Sequence, residues 1–249
     1  MYALKDMKLF FLALGEADVY WDDLVRPNGR KSNSKMTKIP IWSIYIEHPE
    51  AKIIFDTGEK YQSDGIHLDD TLQRQLHLCG VRPEEIDYVV MSHLHHDHAG
   101  NIGLFPNAKI IVQRQELSDA LVTAHTAKEN GLYHKEDVDV IADWNLVEGR
   151  YQLLDGIEMI PLPGHTRGLQ GLLLTLENMG KILITSDACY TGVNYGPPIR
   201  LSGLTVDDKL SQDTIETIKK ITEEMHALVL FGHDYEQFKK LKKAPDFYN

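Results

Sequence analysis

The chain of 249 residues contains 43% hydrophobic and 25% charged residues, with 18 glycines and 10 prolines, which excludes collagen-like, low-complexity and disordered classes. Acidic residues outnumber basic residues by 37 to 26, and the net charge of -11 argues against nucleic acid and anionic membranes as partners. Cys79 and Cys189 are too few cysteines for a disulfide framework, which favours a cytoplasmic protein. We predict a single layered domain over residues 1–249.

Short apolar runs alternate with longer helical patterns along the chain, which predicts an α/β fold. The stretch 9–15 is at the lower limit of a signal-peptide core and is interpreted as the first strand, and no run approaches the roughly 20 apolar residues of a membrane span. Amphipathic spacing predicts helices over 68–79 and over 210–225, the second after a cap at Asp207. Further strands are predicted at 44–46, 53–55, 88–91, 110–112, 157–162, 171–176, 182–185 and 228–231.

The densest functional signal is a histidine run directly after the predicted strand at 88–91. His93, His95, Asp97 and His98 fall within six residues, and the chain's own His and Asp frequencies predict such an H-x-H-x-D-H match by chance only about 0.002 times. Imidazole and carboxylate are ligands that divalent Zn, Fe, Mn and Co accept. Four ligands in one segment exceed what a single tetrahedral ion needs from it, so we predict two metal ions.

Three further candidates each follow a predicted strand: His165, Asp187 and His233. Residues just past strand ends of a layered α/β fold converge on one edge, so we expect these side chains beside the histidine run. Asp56 occupies the same kind of position and is interpreted as an acceptor that orients a ligating imidazole. Cys189 is a second possible ligand near Asp187, but the carboxylate is preferred because it can bridge two ions.

The remaining histidines are not predicted to bind metal, because they lack partners at ligand spacing. His96 is predicted to point away from the metal pair and to line the substrate pocket. The others are His48, His67, His77, His125, His134 and His226.

In this order the seven candidates resemble the full ligand set of the metallo-β-lactamase superfamily, and within it the chain is similar to the N-acyl-homoserine lactonases over nearly its whole length. The motifs that carry this similarity are Ile39-Pro40-Ile41-Trp42, Phe55-Asp56-Thr57-Gly58, Ser92 to Gly100, Ile111-Val112-Gln113-Arg114, Asp187-Ala188-Cys189-Tyr190-Thr191 and Phe231-Gly232-His233-Asp234. The resemblance implies an αββα sandwich, two mixed β-sheets flanked by helices, with a binuclear site at one sheet edge.

The resemblance also implies two ligand groups joined by one bridging carboxylate. The first group is His93, His95 and His165, the second is Asp97, His98 and His233, and the bridge is Asp187. Tyr190 matches the active-site tyrosine of the family.

These assignments predict a hydrolase that opens the ester ring of a lactone, with N-acyl-homoserine lactone as the first candidate. The expected nucleophile is a hydroxide shared between two divalent ions, zinc in the first place. Tyr190 would donate a hydrogen bond to the developing oxyanion, and Asp97 would carry a proton to the leaving alkoxide. The chain has no G-x-S-x-G motif, so serine acyl-enzyme chemistry has no support.

Two features differ from the family pattern: Leu169 replaces a histidine that is not a ligand, and the segment 59–70 is shorter than in lactonases that bind acyl chains. One alternative is a glyoxalase II-like thioesterase, or another small-ester hydrolase, on the same site. That thioesterase type usually carries a C-terminal helical domain, whereas only residues 234–249 follow His233. A second alternative is a non-enzymatic or redox di-iron protein, which usually has a carboxylate in the first motif and a flavodoxin-like extension.

Overall fold

A computed structural model describes residues 6–27, 35–127 and 131–249. The described residues form twelve strands: β1 Lys8–Tyr20, β2 Met36–His48, β3 Ala51–Phe55, β4 Ile66–Leu68, β5 Tyr88–Val90, β6 Lys109–Gln113, β7 Asp143–Val147, β8 Tyr151–Leu154, β9 Ile157–Pro161, β10 Gln170–Leu176, β11 Gly180–Ile184 and β12 Leu228–Leu230. The α-helices are α1 Trp21–Leu24, α2 Leu72–Leu78, α3 His96–Ala99, α4 Arg114–Thr126, α5 Lys135–Val138, α6 Gly192–Tyr195, α7 Asp208–Met225 and α8 Tyr235–Phe238.

The strands form two mixed sheets. The first sheet has the order β4-β1-β2-β3-β5-β6-β7, and the second has the order β12-β11-β10-β9-β8. In the first sheet the pairs from β1 to β3 are antiparallel, whereas β3, β5, β6 and β7 pair in parallel. In the second sheet only the pair of β11 and β12 is parallel among the described strands.

Three apolar clusters separate four layers. One cluster lies between the first sheet and helices α2 and α4, the second lies between the two sheets, and the third lies between the second sheet and α7. In β1, Leu9 and Phe11 belong to the cluster between the sheets, whereas Phe10 and Leu12 belong to the helical side. Successive side chains of a strand point to opposite faces, so an uninterrupted apolar strand is buried on both faces. Each such buried Leu or Phe stabilises the fold by about 1.5–3 kcal/mol.

The predicted αββα arrangement is confirmed, and every predicted strand lies within or overlaps an observed one. The helix predicted over 68–79 begins later, because Leu68 pairs with Gly15 in β4 and the Thr71 side chain caps α2 by accepting from the Arg74 amide at 3.3 Å. The cap predicted at Asp207 is confirmed, since its side chain accepts from the Leu210 amide at 2.9 Å. Strands β7 and β8 and helix α4 were not predicted.

Within the described ranges, the structure contains no helix with the length and apolar character needed to cross a membrane.

Candidate metal centre

All seven predicted ligands lie together at one edge of the sandwich, where strands of both sheets end. His93, His95, Asp97 and His98 follow β5 of the first sheet. In the second sheet, His165 follows β9, Asp187 follows β11 and His233 follows β12. The side chains form three overlapping sets whose ligand atoms lie within 4.8 Å of one another.

The first set contains only imidazoles. His95 Nδ1 lies 3.1 Å from His93 Nε2 and 2.9 Å from His165 Nε2. Two ligands on a tetrahedral zinc ion, with bonds of about 2.0–2.1 Å, lie roughly 3.3 Å apart. The three nitrogens are therefore close to the spacing that one such ion requires.

The second set combines imidazole with carboxylate. Asp97 Oδ2 lies 3.6 Å from His98 Nε2 and 3.7 Å from His233 Nε2. This donor set suits the same borderline divalent ions.

Asp187 lies between the two sets and turns one oxygen toward each. Its Oδ1 is 3.3 Å from His98 Nε2 and 3.1 Å from His233 Nε2. Its Oδ2 is 3.8 Å from His93 Nε2 and 3.5 Å from His165 Nε2. The carboxylate is oriented as a bridge between two positions would require.

The centre also leaves polar atoms without hydrogen-bond partners. His98 Nε2, His233 Nε2 and Asp187 Oδ1 are buried and have no hydrogen-bond partner. An unsatisfied buried polar atom costs about 1–3 kcal/mol, and more when it is charged. Because these potential ligand atoms lie close together but do not hydrogen-bond to one another, their arrangement is suited to binding divalent cations.

Three of the imidazoles are fixed by acceptors on their outer side. His98 Nδ1 donates to Asp56 at 2.8 Å, His165 Nδ1 to the Leu204 carbonyl at 2.6 Å, and His233 Nδ1 to the Pro40 carbonyl at 3.0 Å. These acceptors hold a proton on Nδ1, so Nε2 is the nitrogen that each ring turns toward the centre. The contact predicted for Asp56 is thus present, and Asp56 also accepts from the Ser92 amide at 2.6 Å and the Ser92 hydroxyl at 2.7 Å.

The electrostatics of the two sets differ. Burial, followed by the neighbouring histidines, holds the pKa of His93 and of His95 well below the usual value, so both rings are neutral. Burial opposes charge at Asp187 as well, but His233 and His98 outweigh it and hold the pKa of this carboxyl well below its usual range. At His98, Asp97 and Asp187 outweigh the effect of burial and raise the pKa well above its usual value, and Asp187 likewise raises the pKa of His233. The centre therefore combines neutral imidazoles in the first set with an ionised Asp187 and two imidazoles that favour the protonated form, and metal binding would release the protons of His98 and His233.

Tyr190 is buried directly against the centre. Its ring stacks on His233 at 5.6 Å between centroids, and its hydroxyl lies 3.1 Å from His165 Nδ1. Burial, with Asp187 and Asp97 nearby, raises the pKa of Tyr190 well above its usual value, so the hydroxyl keeps its proton.

A cavity of about 220 Å³ opens onto the centre. Its floor includes His95, Asp97, Asp187 and Tyr190. Its wall is largely apolar and is formed by Ala17, Val19, Leu24, Ile39, Ile41, Ile66, Leu132 and Leu204. An apolar wall above convergent polar groups is typical of a small-molecule site.

His96 lines this cavity, as predicted, and has partners that the sequence did not indicate. Its Nδ1 contacts the Glu59 carboxylate, and its ring stacks on His134 at 4.6 Å between centroids. Glu59 also accepts from the amides of Lys60 at 2.7 Å and Tyr61 at 2.9 Å. Glu59 therefore fixes the orientation of His96 in the cavity wall.

Cys189 does not reach the centre. It belongs to the apolar cluster under α7 with Ile218 and Ile221, and burial raises the pKa of its thiol. The preference for Asp187 over Cys189 thus agrees with the structure. None of the six histidines set aside in the sequence belongs to the candidate sets found among the described residues.

The sequence missed Glu116 and Tyr133, which contact the loops of the first set. Both belong to segments without a clear apolar period, and α4 buries only Glu116, Leu117 and Ala120. A fully buried glutamate carries no local sequence signal, because its partners lie 17 to 50 residues away.

Comparison with known families agrees with this geometry. The model of the metallo-beta-lactamase superfamily matches residues 36–233. The chain therefore belongs to the metallo-beta-lactamase superfamily, and its prediction as a hydrolase of this class is confirmed.

Similarity to individual proteins extends over nearly the full length. The chain is 30% identical to N-acyl homoserine lactonase AiiA of Bacillus thuringiensis subsp. kurstaki, over 96% of this chain and 98% of that protein. It is 32% identical to N-acyl homoserine lactonase AiiB of Agrobacterium fabrum (strain C58 / ATCC 33970), with the same coverage of 96% and 98%. A solved N-acyl homoserine lactone hydrolase, with the product N-hexanoyl-L-homoserine bound at its catalytic metal center, matches with a TM-score of 0.84 and 28% identity, covering 97% of this chain and 98% of that one.

Proposed function

We propose that this chain is a metal-dependent lactonase that opens the ester ring of an N-acyl-homoserine lactone. The observation that carries the proposal is the orientation of Asp187, whose two oxygens face two sets of candidate ligands below an apolar cavity. The similarity to N-acyl homoserine lactonases over nearly the whole chain supports the same substrate class.

The residues that would hold the metal ions are the seven predicted from the sequence. The first ion would be held by His93, His95 and His165, the second by Asp97, His98 and His233, and both by Asp187. When bound, two divalent ions, with zinc as the first candidate, would lower the pKa of the water molecule that serves as the nucleophile and would polarise the ester carbonyl.

Tyr190 is assigned as the hydrogen-bond donor to the substrate oxygen that becomes negative. His165 Nδ1 already donates to the Leu204 carbonyl at 2.6 Å, so the Tyr190 hydroxyl need not donate to this ring. Its proton can therefore be donated to another acceptor, either Asp187 or the substrate, and the raised pKa of Tyr190 keeps that proton in place. One preorganised donor of this kind lowers the barrier by about 3–4 kcal/mol.

Asp97 is assigned as the group that transfers a proton to the leaving alkoxide oxygen. It lines the cavity, and His98 and His233 lower the pKa of its carboxyl despite the opposing effect of burial. The carboxylate is thus ionised before the reaction and can accept a proton during attack and release it afterwards.

A hydrolysis screen tests the proposal. Metal-replete protein would be assayed by proton release on N-hexanoyl-homoserine lactone, a simple lactone, a thioester and a β-lactam, with Asp187→Asn as the site-defective control. We expect lactone hydrolysis well above the control and near-background rates on the other substrates. Hydrolysis of the thioester with lactones at background would favour the glyoxalase II-like alternative, and background rates on all four would refute the proposal.

A further inference from the structure

A buried carboxylate outside the seven predicted ligands contacts both loops of the first set. Glu116 lies in the first turn of α4 and is 0% exposed. Carboxylates are favoured in the first turn of a helix by its unpaired amides. Full burial of a glutamate is rare unless several donors compensate it, so its surroundings indicate what it holds in place.

Three donors face the two oxygens of Glu116. Oε1 accepts from the Leu94 amide at 3.0 Å and from the Tyr133 hydroxyl at 3.0 Å. Oε2 accepts from the Thr166 hydroxyl at 2.5 Å. Burial raises the pKa of Glu116, and these three hydrogen bonds oppose the rise.

Two of these bonds converge on the loop that carries His93 and His95. Leu94 stands between the two histidines, so its amide fixes the backbone from which both rings project. Tyr133 packs its ring on His95 with 4.5 Å between centroids, and its hydroxyl is anchored by Glu116. The carboxylate thus restrains His95 through its backbone and through its ring.

The third bond reaches the loop of His165. Thr166 follows this histidine directly and is buried. The same loop packs tightly on the start of α4, since a Cβ on Gly168 would lie 2.3 Å from the Glu116 amide nitrogen. Only a glycine permits this approach, which brings the second ligand loop against the helix turn that carries Glu116.

We propose that Glu116 is a positioning residue that sets the spacing of His93, His95 and His165 for one metal ion. The inference rests on the proposed metal site. Glu116 touches neither the substrate cavity nor a ligand nitrogen, and it acts by joining two loops that are 70 residues apart in sequence at their closest ligands, His95 and His165. A glutamine can offer only one acceptor oxygen to these three donors, so Glu116→Gln would loosen at least one loop.

Metal titration without substrate tests the proposal. Metal-free wild type and Glu116→Gln would be titrated with Co²⁺ by visible absorption and with Zn²⁺ against a chelator. Loss of a partner that supports metal ligands typically weakens metal binding by about 10–100-fold, so we expect a shift of about tenfold or more in one binding step and an altered Co²⁺ spectrum.

Glu85→Gln is the matched control. Glu85 also accepts from three donors, Lys52 Nζ at 2.9 Å, the Arg82 amide at 3.0 Å and Arg82 Nε at 3.1 Å, but it precedes β5 at the opposite end of the strand. We expect it to lower stability without changing either metal-binding step.

The affected step is assigned in a His233→Ala background, where the second set lacks a ligand. If Glu116→Gln still shifts the metal affinity in this background, the effect belongs to the first set. If the shift disappears, the placement at the first set is overturned.

A folded Glu116→Gln protein with wild-type metal affinities and Co²⁺ spectrum overturns the proposal altogether. If Glu116→Gln does not fold, Tyr133→Phe and Thr166→Val each remove one donor, and wild-type metal binding in both would overturn it. Normal metal results in a protein that hydrolyses no lactone would refute only the proposed function.

Discussion

The two halves of the candidate centre are held by different means. In the second half, Asp56 contacts a predicted ligand ring directly, by accepting from His98 Nδ1 at 2.8 Å. In the first half, Glu116 reaches the rings only through a backbone amide, a threonine hydroxyl and the Tyr133 side chain. A direct bond fixes one ring, whereas an indirect network fixes the distance between loops. In the role proposed for Glu116, a buried carboxylate supports a metal site without contacting the ligand atoms.

The halves also differ in charge. The first set contains three imidazoles, whereas the second includes Asp97, and Asp187 turns one oxygen toward each. Neutral imidazoles leave more of a bound cation's charge uncompensated than a set with its own carboxylate does. In the proposed mechanism the first half would therefore polarise the carbonyl more strongly. Tyr190 contacts both halves, His165 through its hydroxyl and His233 through its ring.

The largest effect is expected where both halves meet. Asp187→Asn removes the carboxylate that faces both sets, so we expect both ions to bind more weakly and kcat/KM to fall at least about 10³-fold, which corresponds to roughly 4 kcal/mol. Metal analysis after dialysis measures the first effect, with the exposed Asp143→Asn as control. Retention of two tightly bound ions would show that Asp187 is not the bridge.

A smaller effect is expected when a reacting group is removed and both halves remain intact. Tyr190→Phe should lower kcat by about 10²–10³-fold, as loss of an oxyanion donor does, and leave the metal content unchanged. Tyr195→Phe is the matched control, because its hydroxyl lies 2.9 Å from Thr222 Oγ1 in the cluster under α7. Unchanged kcat in Tyr190→Phe would remove the tyrosine from the mechanism.

Substitution of Asp56 tests the direct contact of the second half. The Asp56 carboxylate accepts hydrogen bonds from His98 Nδ1 and from the amide and hydroxyl of Ser92, and an asparagine has only one oxygen to accept them. We expect one metal-binding step to weaken by about 10–100-fold, in the half opposite to that affected by Glu116→Gln. If the losses of metal affinity are additive in the double variant of Asp56→Asn and Glu116→Gln, the two carboxylates stabilise the two halves independently. If the double variant binds metal no more weakly than either single variant, both carboxylates act on the same half.

The smallest effect concerns the segment that brings Tyr133 to the first half. Burial raises the pKa of Asp137 in the adjacent α5 to about 6, from an ordinary value of 3.8. The folded state therefore holds the proton more tightly, and the stability that this provides is complete below pH 3.8 and is lost as the pH rises through about 6.

Asp137→Asn should accordingly raise the free energy of unfolding at pH 8 by about 1–2 kcal/mol and give no gain near pH 4. Chemical denaturation at several pH values measures this difference. If the stability of the variant depends on pH in the same way as that of the wild type, ionisation of Asp137 does not destabilise the folded protein.

The sequence by itself determined an α/β fold and the candidate ligands, and its resemblance to the metallo-β-lactamase superfamily predicted the sandwich. Apolar runs such as Ile53–Phe55 mark buried strands, and the close spacing from His93 to His98 is a local pattern that chance rarely produces. His165, Asp187 and His233 could be added because each follows a strand, and strand ends converge on one edge of such a fold.

Tertiary structure alone decided what holds these residues. Cys189 stands two positions from Asp187 but packs into the apolar cluster under α7, where it directly follows a 3₁₀ helix over Ser186–Ala188. The partners of Glu116 are 17, 22 and 50 residues away, and the partner of His96 is 37 residues away. Hydrogen bonds of this kind depend on how loops meet in space, so they cannot be predicted from periodicity or spacing in the sequence.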